Sequence, residues 1–210
     1  MAIDLHALVG PGHTALVTSE VQRGVVGESG VFPELTEAAR AVDLVAHAAE
    51  LCTAARTAGV PVIHGLAARR ADGLGSNTNA RLFAAARRSP VPLLPGSPEA
   101  SVVPELGPGP DDFLLTRLHG LNPMAGTDLD PLLRNLGVTT VVVVGVSLNV
   151  AIVGLVMDAV NHGYQVVVPR DAVAGVPVAY AETVVDNTLS PLATITTTAE
   201  VVAAWQERVA

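Results

Sequence analysis

Residues 139–175 read TTVVVVGVSLNVAIVGLVMDAVNHGYQVVVPRDAVAG, and the fold class follows from them. Residues 141–144 form an unbroken β-branched run, the pattern of a strand buried on both faces of a parallel sheet. Gly145 ends it. Ser147 and Asn149 offer N-cap side chains to a helix over about 150–161. Ile152, Val153, Leu155, Val156 and Val160 make the apolar stripe of that helix, and Gly163 stops it. Residues 164–168 then read as a second buried strand. The product is a strand–helix–strand unit whose first turn presents backbone N–H groups at a helix N-terminus, a natural place for an anion or oxyanion.

The rest of the chain extends the same alternation. Residues 14–19 (TALVTS) read as a first strand, from whose end Glu20 and Gln22 leave. A long Ala-rich helix is expected over 33–58, ended by Gly59. Residues 60–64 (VPVIH) form a second strand that ends at His64, and a short helical run follows near 80–87. The Pro- and Gly-rich residues 90–110 read as an extended surface loop. Residues 113–116 make a third strand, with Arg117 leaving its end, and a helix is expected over 127–136. After the 139–175 unit come a helix over 178–189, a short strand over 194–197 and a closing helix over 198–209. Strands alternating with helices give an α/β fold, a parallel sheet covered on both faces by right-handed crossovers. Ligands of such sheets bind beyond the C-terminal strand ends, where strand order reverses. Glu20, Arg117 and the 147–151 turn stand at those ends.

Composition sets outer bounds. The 210 residues suit one domain, 1–210. Half are hydrophobic but only 3% are aromatic, so Val, Ala and Leu must fill the core. A net charge of −8 and a pI near 5.1 argue against nucleic acid and anionic membranes as partners. All 12 basic residues are Arg, which excludes lysine Schiff-base chemistry and a lysine general acid. Cys52 is the sole cysteine, so no internal disulfide or thiolate cluster is available. Its place on the apolar face of a helix reads as a core thiol. No signal peptide or membrane span is legible, and a soluble cytoplasmic protein is the expectation.

Over nearly its whole length the chain resembles the isochorismatase-like, or cysteine hydrolase, superfamily. The likeness is carried by GVSLNVA at 145–151, by DAVNHGYQVVVPRDA at 158–172, and by AGTDLDPLLRNLGV at 125–138. It implies a three-layer α-β-α fold with a six-stranded, mostly parallel sheet and frequent homo-oligomers, dimers or higher. It also implies hydrolysis of small amides, ureides or an enol ether. Most members use an Asp–Lys–Cys triad, and this chain departs from it at each position. The acidic position is Glu20, the lysine position Arg117, and the cysteine position Ala151, while the usual threonine after Gly145-Val146 is Leu148. A metal-bearing member would need Asp-x-His after the second strand. His64-Gly65-Leu66 supplies no such pair, so neither a metal nor another cofactor is expected.

Ala151 forms no thioester, so covalent amide hydrolysis of the family kind is excluded unless another nucleophile has moved in. Glu20 keeps a carboxylate one methylene longer. Arg117 keeps a positive charge that binds an anion but relays no proton. One branch of the family, the true isochorismatases, cleaves a vinyl ether by protonating the enol carbon, with no cysteine. Glu20 as acid, Arg117 as cation and the turn at 149–151 would suffice for that on a small, carboxylate-bearing molecule. Gln22, His64, His119, Ser147, Leu148 and Asn149 are the candidate substrate-binding residues. Arg69, Arg70, Arg87 and Arg88 read as solvated surface or subunit contacts. The alternative is an inactive member that binds a small molecule or serves in assembly, since fold alone does not carry function.

Overall fold

The structure, a computed structural model, describes residues 4–28 and 30–206. Its sheet has the order β3-β2-β1-β4-β5-β7, with a two-residue β6 beside β4, and every pair is parallel. The strands are β1 Thr14–Ser19, β2 Val62–Ala67, β3 Phe113–Arg117, β4 Thr140–Val146, β5 Gln165–Pro169, β6 Val173–Ala174 and β7 Thr194–Thr196. The helices are α1 Leu5–Leu8, α2 Arg23–Val26, α3 Pro33–Ala41, α4 Leu44–Thr57, α5 Arg81–Arg88, α6 Leu129–Asn135, α7 Val153–Asn161, α8 Val178–Val184 and α9 Thr198–Gln206. The closing helix is thus described as far as Gln206; residues 207–209 of its expected span lie outside the described residues.

β4 shows why the layers form. Val142, Val144 and Val146 join one core cluster with Leu44, Leu51 and Trp205 of α4 and α9. Val141 and Val143 join the other with Leu129, Leu155 and Val156 of α6 and α7. Successive side chains point to opposite faces, and both faces are covered, so a continuous Val run is the stable solution. The expected three-layer α/β architecture with six main parallel strands is therefore present. Cys52 is fully buried in the first cluster.

Strand order reverses between β1 and β4, which pair from Thr14↔Thr140 to Ser19↔Gly145. At the last rung the two strands come unusually close. A Cβ on Gly145 would sit 2.2 Å from the Ser19 carbonyl oxygen, and its φ of +114° is one that L side chains rarely adopt. Gly145 thus lies inside β4 rather than ending it, and the crevice beyond this rung is the topological switch point.

Several local expectations are corrected. The 33–58 helix is two helices, because Asp43 adopts a left-handed conformation (φ +49°) between α3 and α4. Residues 90–110 run largely over the surface, as expected, but are anchored in the middle: Ala100, Val102, Val103 and Leu106 are buried, and Val102 forms an antiparallel bridge to Gln22. The helix after β4 opens as a π-helical turn, Leu148–Ile152, before α7. Neither Ser147 nor Asn149 caps it. The Ser147 side chain makes no cap bond, whereas its carbonyl oxygen accepts from the N–H groups of Val150 and Ile152, both at 3.1 Å.

Candidate active site

A cavity of about 370 Å³ opens beyond the C-terminal ends of β1–β4. Glu20, the first residue past β1, has a left-handed φ of +55° and its N–H donates to the Gly65 carbonyl of β2 at 2.8 Å. Arg117 ends β3, two strands away from β1. The small side chains of Ala67 and Ala68 at the end of β2 leave room for its guanidinium to reach across. Nη2 of Arg117 donates to Glu20 Oε1 and, at 3.2 Å, to the Leu121 carbonyl. The pair is largely out of water, Arg117 being 6% and the Glu20 side chain 17% exposed. Arg117 Nε is buried with no hydrogen-bond partner. A donor left unmatched in such a place is costly and attracts an acceptor.

Burial raises the Glu20 carboxyl above the usual range, and the Arg117 charge offsets only part of that effect. The carboxyl is thereby moved toward the range in which a general acid works.

Ala151, Ser147, Asn149 and His119 also line the cavity. Ala151 presents a methyl group where the superfamily resemblance implies a nucleophile. Ser147 follows the Val146–Ser147 cis peptide. Asn149 uses its amide nitrogen to hold the Val176 carbonyl at 2.9 Å, so it fastens this turn to the segment after β6. His119 is exposed at the rim, its ring lying where a side chain on Gly126 would otherwise stand.

Three expected substrate-binding residues lie elsewhere. Gln22 is fully buried; its Nε2 donates to the carbonyls of Ala67 (2.9 Å) and Ala100 (2.7 Å), and its Oε1 accepts from Ala67 N–H (2.8 Å). It ties strand ends together and does not line the cavity. Leu148 is 1% exposed and packs in the core cluster beneath α7, because the π-helical turn points it inward. His64 lies inside β2, not at its end, and is fully buried. Its Nδ1 is 2.8 Å from Thr18 Oγ1 and its Nε2 3.3 Å from Asp112 Oδ2. Asp112 is in turn gripped by Arg56 through two bonds of 3.1 and 2.7 Å. Burial lowers the His64 pKa, more than Asp112 restores it.

Other lining residues carried no functional expectation. Arg69 and Arg87, expected as solvated surface or subunit contacts, line the cavity, and Arg87 is also exposed to solvent. Arg69 donates to the carbonyls of Arg87 (3.4 Å), Ser89 (3.5 Å) and Val91 (3.4 Å), holding the C-terminal end of α5. The apolar walls come from Val25, Phe32 and Leu35 on one side, Leu82 and Phe83 of α5 on another, and Leu93. The α5 residues had a legible signal in the apolar Leu82, Phe83 and Ala86 set among Arg81, Arg87 and Arg88. Among the described residues no group of three or more His, Cys, Asp or Glu side chains is placed to hold a metal ion. No described helix is long and apolar enough to cross a membrane.

Comparison with known proteins bears on this arrangement. A cysteine hydrolase from Pseudomonas syringae pv. phaseolicola superposes with a TM-score of 0.82 at 25% identity, covering 95% of each chain. An isochorismatase family protein from Desulfovibrio vulgaris gives 0.75 at 26% identity, covering 93% of this chain and 97% of that one. In sequence, an uncharacterised isochorismatase family protein of Bacillus subtilis is 33% identical over 75 residues, a stretch that spans 36% of this chain and 39% of that relative. The family model for the isochorismatase domain matches residues 14–200, from the first residue of β1 into α9. That match over most of its length, with the shared overall fold, places the chain in the isochorismatase family.

Proposed function

We propose that this protein is a hydrolase of a small carboxylate-bearing enol ether, with Glu20 as the acid and no covalent enzyme intermediate. The observation that carries the reading is a glutamic acid of raised pKa, in contact with a buried arginine, on the wall of a cavity whose nucleophile position is Ala151. A substrate carboxylate would accept from Arg117, including its unpartnered Nε. Glu20, released from the ion pair, takes up a proton from solvent and delivers it to the terminal enol carbon. Protonation there leaves an oxocarbenium ion, to which water adds. The added water loses its proton to Glu20, and the hemiketal separates into a ketone and an alcohol. One water is consumed and Glu20 ends as it began. No step calls for a thiol, and none asks Arg117 to lose a proton.

Incubation with isochorismate and simpler carboxylated vinyl ethers tests the reading. Turnover is expected, with a loss of about 10²-fold or more in Glu20→Gln. Absence of turnover across the set, or equal turnover by Glu20→Gln, would overturn it. A substrate-free protein whose melting temperature still rises with small carboxylates would then be a binding protein on a hydrolase fold.

A further inference from the structure

The polar groups at the strand ends occupy only a small part of the cavity. Beyond them the lining is mainly hydrocarbon, from Val25, Phe32 and Leu35 of the α2–α3 segment, Leu82 and Phe83 of α5, and Leu93, which lies against Gly24, with Glu34, Arg69, Asn77 and Arg87 among the polar residues that complete it. None of the apolar side chains offers a hydrogen bond to a polyhydroxylated or ureide-like body. The chamber is also larger than a compact polar substrate needs. Taking about 30 Å³ per water-sized unit, about 370 Å³ holds on the order of twelve heavy atoms. α5 closes one side while contributing no buried residue to the core, and Leu82 keeps 38% of its surface exposed. Two clamps hold this cover in place. Arg69 grips its C-terminal carbonyls, and Asn77 Oδ1 accepts from Gly120 N–H at 2.7 Å, joining the loop before α5 to the loop after β3. A helix retained over an apolar chamber, with no core of its own to bury, is accounted for by an apolar ligand beneath it.

Two lining residues carry a buried polar atom without a partner, Ser76 Oγ and Arg117 Nε, and of the two only Arg117 is charged. Arg117 is nine-tenths buried, lines the chamber and has an Nε without a partner. We infer that the ligand of this site is an amphiphilic monocarboxylate, its single carboxylate at Arg117 and an alkyl or aryl body of about eight or nine carbons under α5. This deepens the hydrolase reading by naming the class of molecule that the site selects, and it rests on that reading only for the identity of the cavity.

Isothermal titration with straight-chain monocarboxylates from acetate to dodecanoate, and with dicarboxylates of equal length, tests the inference. Affinity is expected to rise about fourfold per added methylene and then to level off near nonanoate or decanoate. Each dicarboxylate should bind at least tenfold more weakly than its monocarboxylate. Ala86→Phe, which fills the chamber from the cover, should move the plateau to shorter acids. Leu82→Ser, at a partly exposed position, should flatten the slope without unfolding the protein. Glu20→Gln should leave the slope unchanged. A flat series, or one indifferent to both α5 substitutions, overturns the inference even if Glu20-dependent turnover of a polar enol ether is found. A rising series that responds to α5, in a protein with no Glu20-dependent turnover, supports the inference and removes the acid mechanism instead.

Discussion

The contact between Glu20 and Arg117 makes the effect of Arg117→Met strongly dependent on pH. Both side chains are largely out of water, and each is the other's charge partner. Methionine keeps part of the arginine stem but leaves the Glu20 carboxyl to burial alone, which raises its pKa further. A carboxylate has a recourse that a guanidinium lacks, because it can take up a proton. At pH 7 the cost of doing so is capped by the distance from the ordinary value of 4.5. That is about two and a half units at about 1.36 kcal/mol each, or about 3.4 kcal/mol. At pH 5 the distance is about half a unit and the cap about 0.7 kcal/mol. The sign follows from a folded-state pKa above the unfolded one. Stability is fullest below pH 4.5 and falls as pH rises through the folded value. Loss of the bond to the Leu121 carbonyl and of arginine packing adds an increment that does not titrate, and it cancels between the two pH values. Urea unfolding of the wild type and Arg117→Met at pH 5 and pH 7 should therefore give destabilisations that differ by up to about 2.7 kcal/mol, the larger at pH 7. The double variant Glu20→Gln/Arg117→Met, measured against Glu20→Gln, has no carboxyl to titrate and should show no such difference. Equal destabilisation by Arg117→Met at both pH values, with a wild-type stability that changes no more between them than that of Glu20→Gln, would refute the view that burial dominates the surroundings of Glu20.

Three further outcomes follow from other parts of the structure. Burial pushes the Cys52 thiol up to about 12, so the native protein should resist a disulfide reagent at pH 8 and release one thiol equivalent on unfolding; fast native labelling would contradict the buried placement. Ala151→Cys should produce neither amide hydrolysis nor an acyl adduct on the introduced thiol by mass spectrometry, since Arg117 relays no proton; a burst of product would show that another group activates it. His64 has a folded-state pKa below 6.5, so its contribution to stability is present in full above pH 6.5 and is lost as pH falls through the folded value. The fall in melting temperature between pH 7.5 and pH 5 should be smaller in His64→Gln than in the wild type, and an unchanged fall would assign that acid sensitivity elsewhere.

What the sequence showed of this fold was what depends on local pattern. The 141–144 run, the alternation of strands with helices and the strand-end positions of Glu20, Arg117 and Ala151 all follow from periodicity, turn residues and the resemblance to one superfamily. What escaped depends on partners distant in the chain. Nothing near residue 43 breaks a helix by composition, and Asp43 turns left-handed between α3 and α4 with no glycine or proline to mark the place. The Pro- and Gly-rich residues around 102 read as surface, yet Gln22 pairs with Val102 across 80 positions and draws the segment into the core. His64 looked like a strand-end ligand because its partner Asp112 lies 48 residues on. The apolar walls of the cavity are assembled from four separate stretches of chain, and no single stretch shows that they meet.

On the proposed reading, the three departures that the superfamily resemblance implies at Glu20, Arg117 and Ala151 make one chemical change. A thiol at 151 would need its proton removed, and an arginine at 117 does not help remove it; Ala151 dispenses with a nucleophile that this site would not activate. The longer arms of Glu20 and Arg117 span the end of β2 and neutralise each other when the cavity holds no ligand. A monocarboxylate arriving at Arg117 brings a second negative charge to a place that has one cation. Two carboxylates against one buried guanidinium is unfavourable, and Glu20, whose pKa is already raised, is the group able to relieve it by protonation. Binding at pH 7 should therefore take up close to one proton per carboxylate bound. Titration calorimetry in buffers of different ionisation enthalpy measures that number directly. The uptake should vanish in Glu20→Gln, and it should shrink in the wild type as pH is lowered toward 5, where Glu20 is increasingly protonated before the ligand arrives. Binding with no proton uptake at pH 7, in a protein whose free Glu20 shows an ionised carboxylate at that pH by infrared spectroscopy, would mean that Glu20 stays ionised beside the ligand, and a residue in that state cannot be the acid.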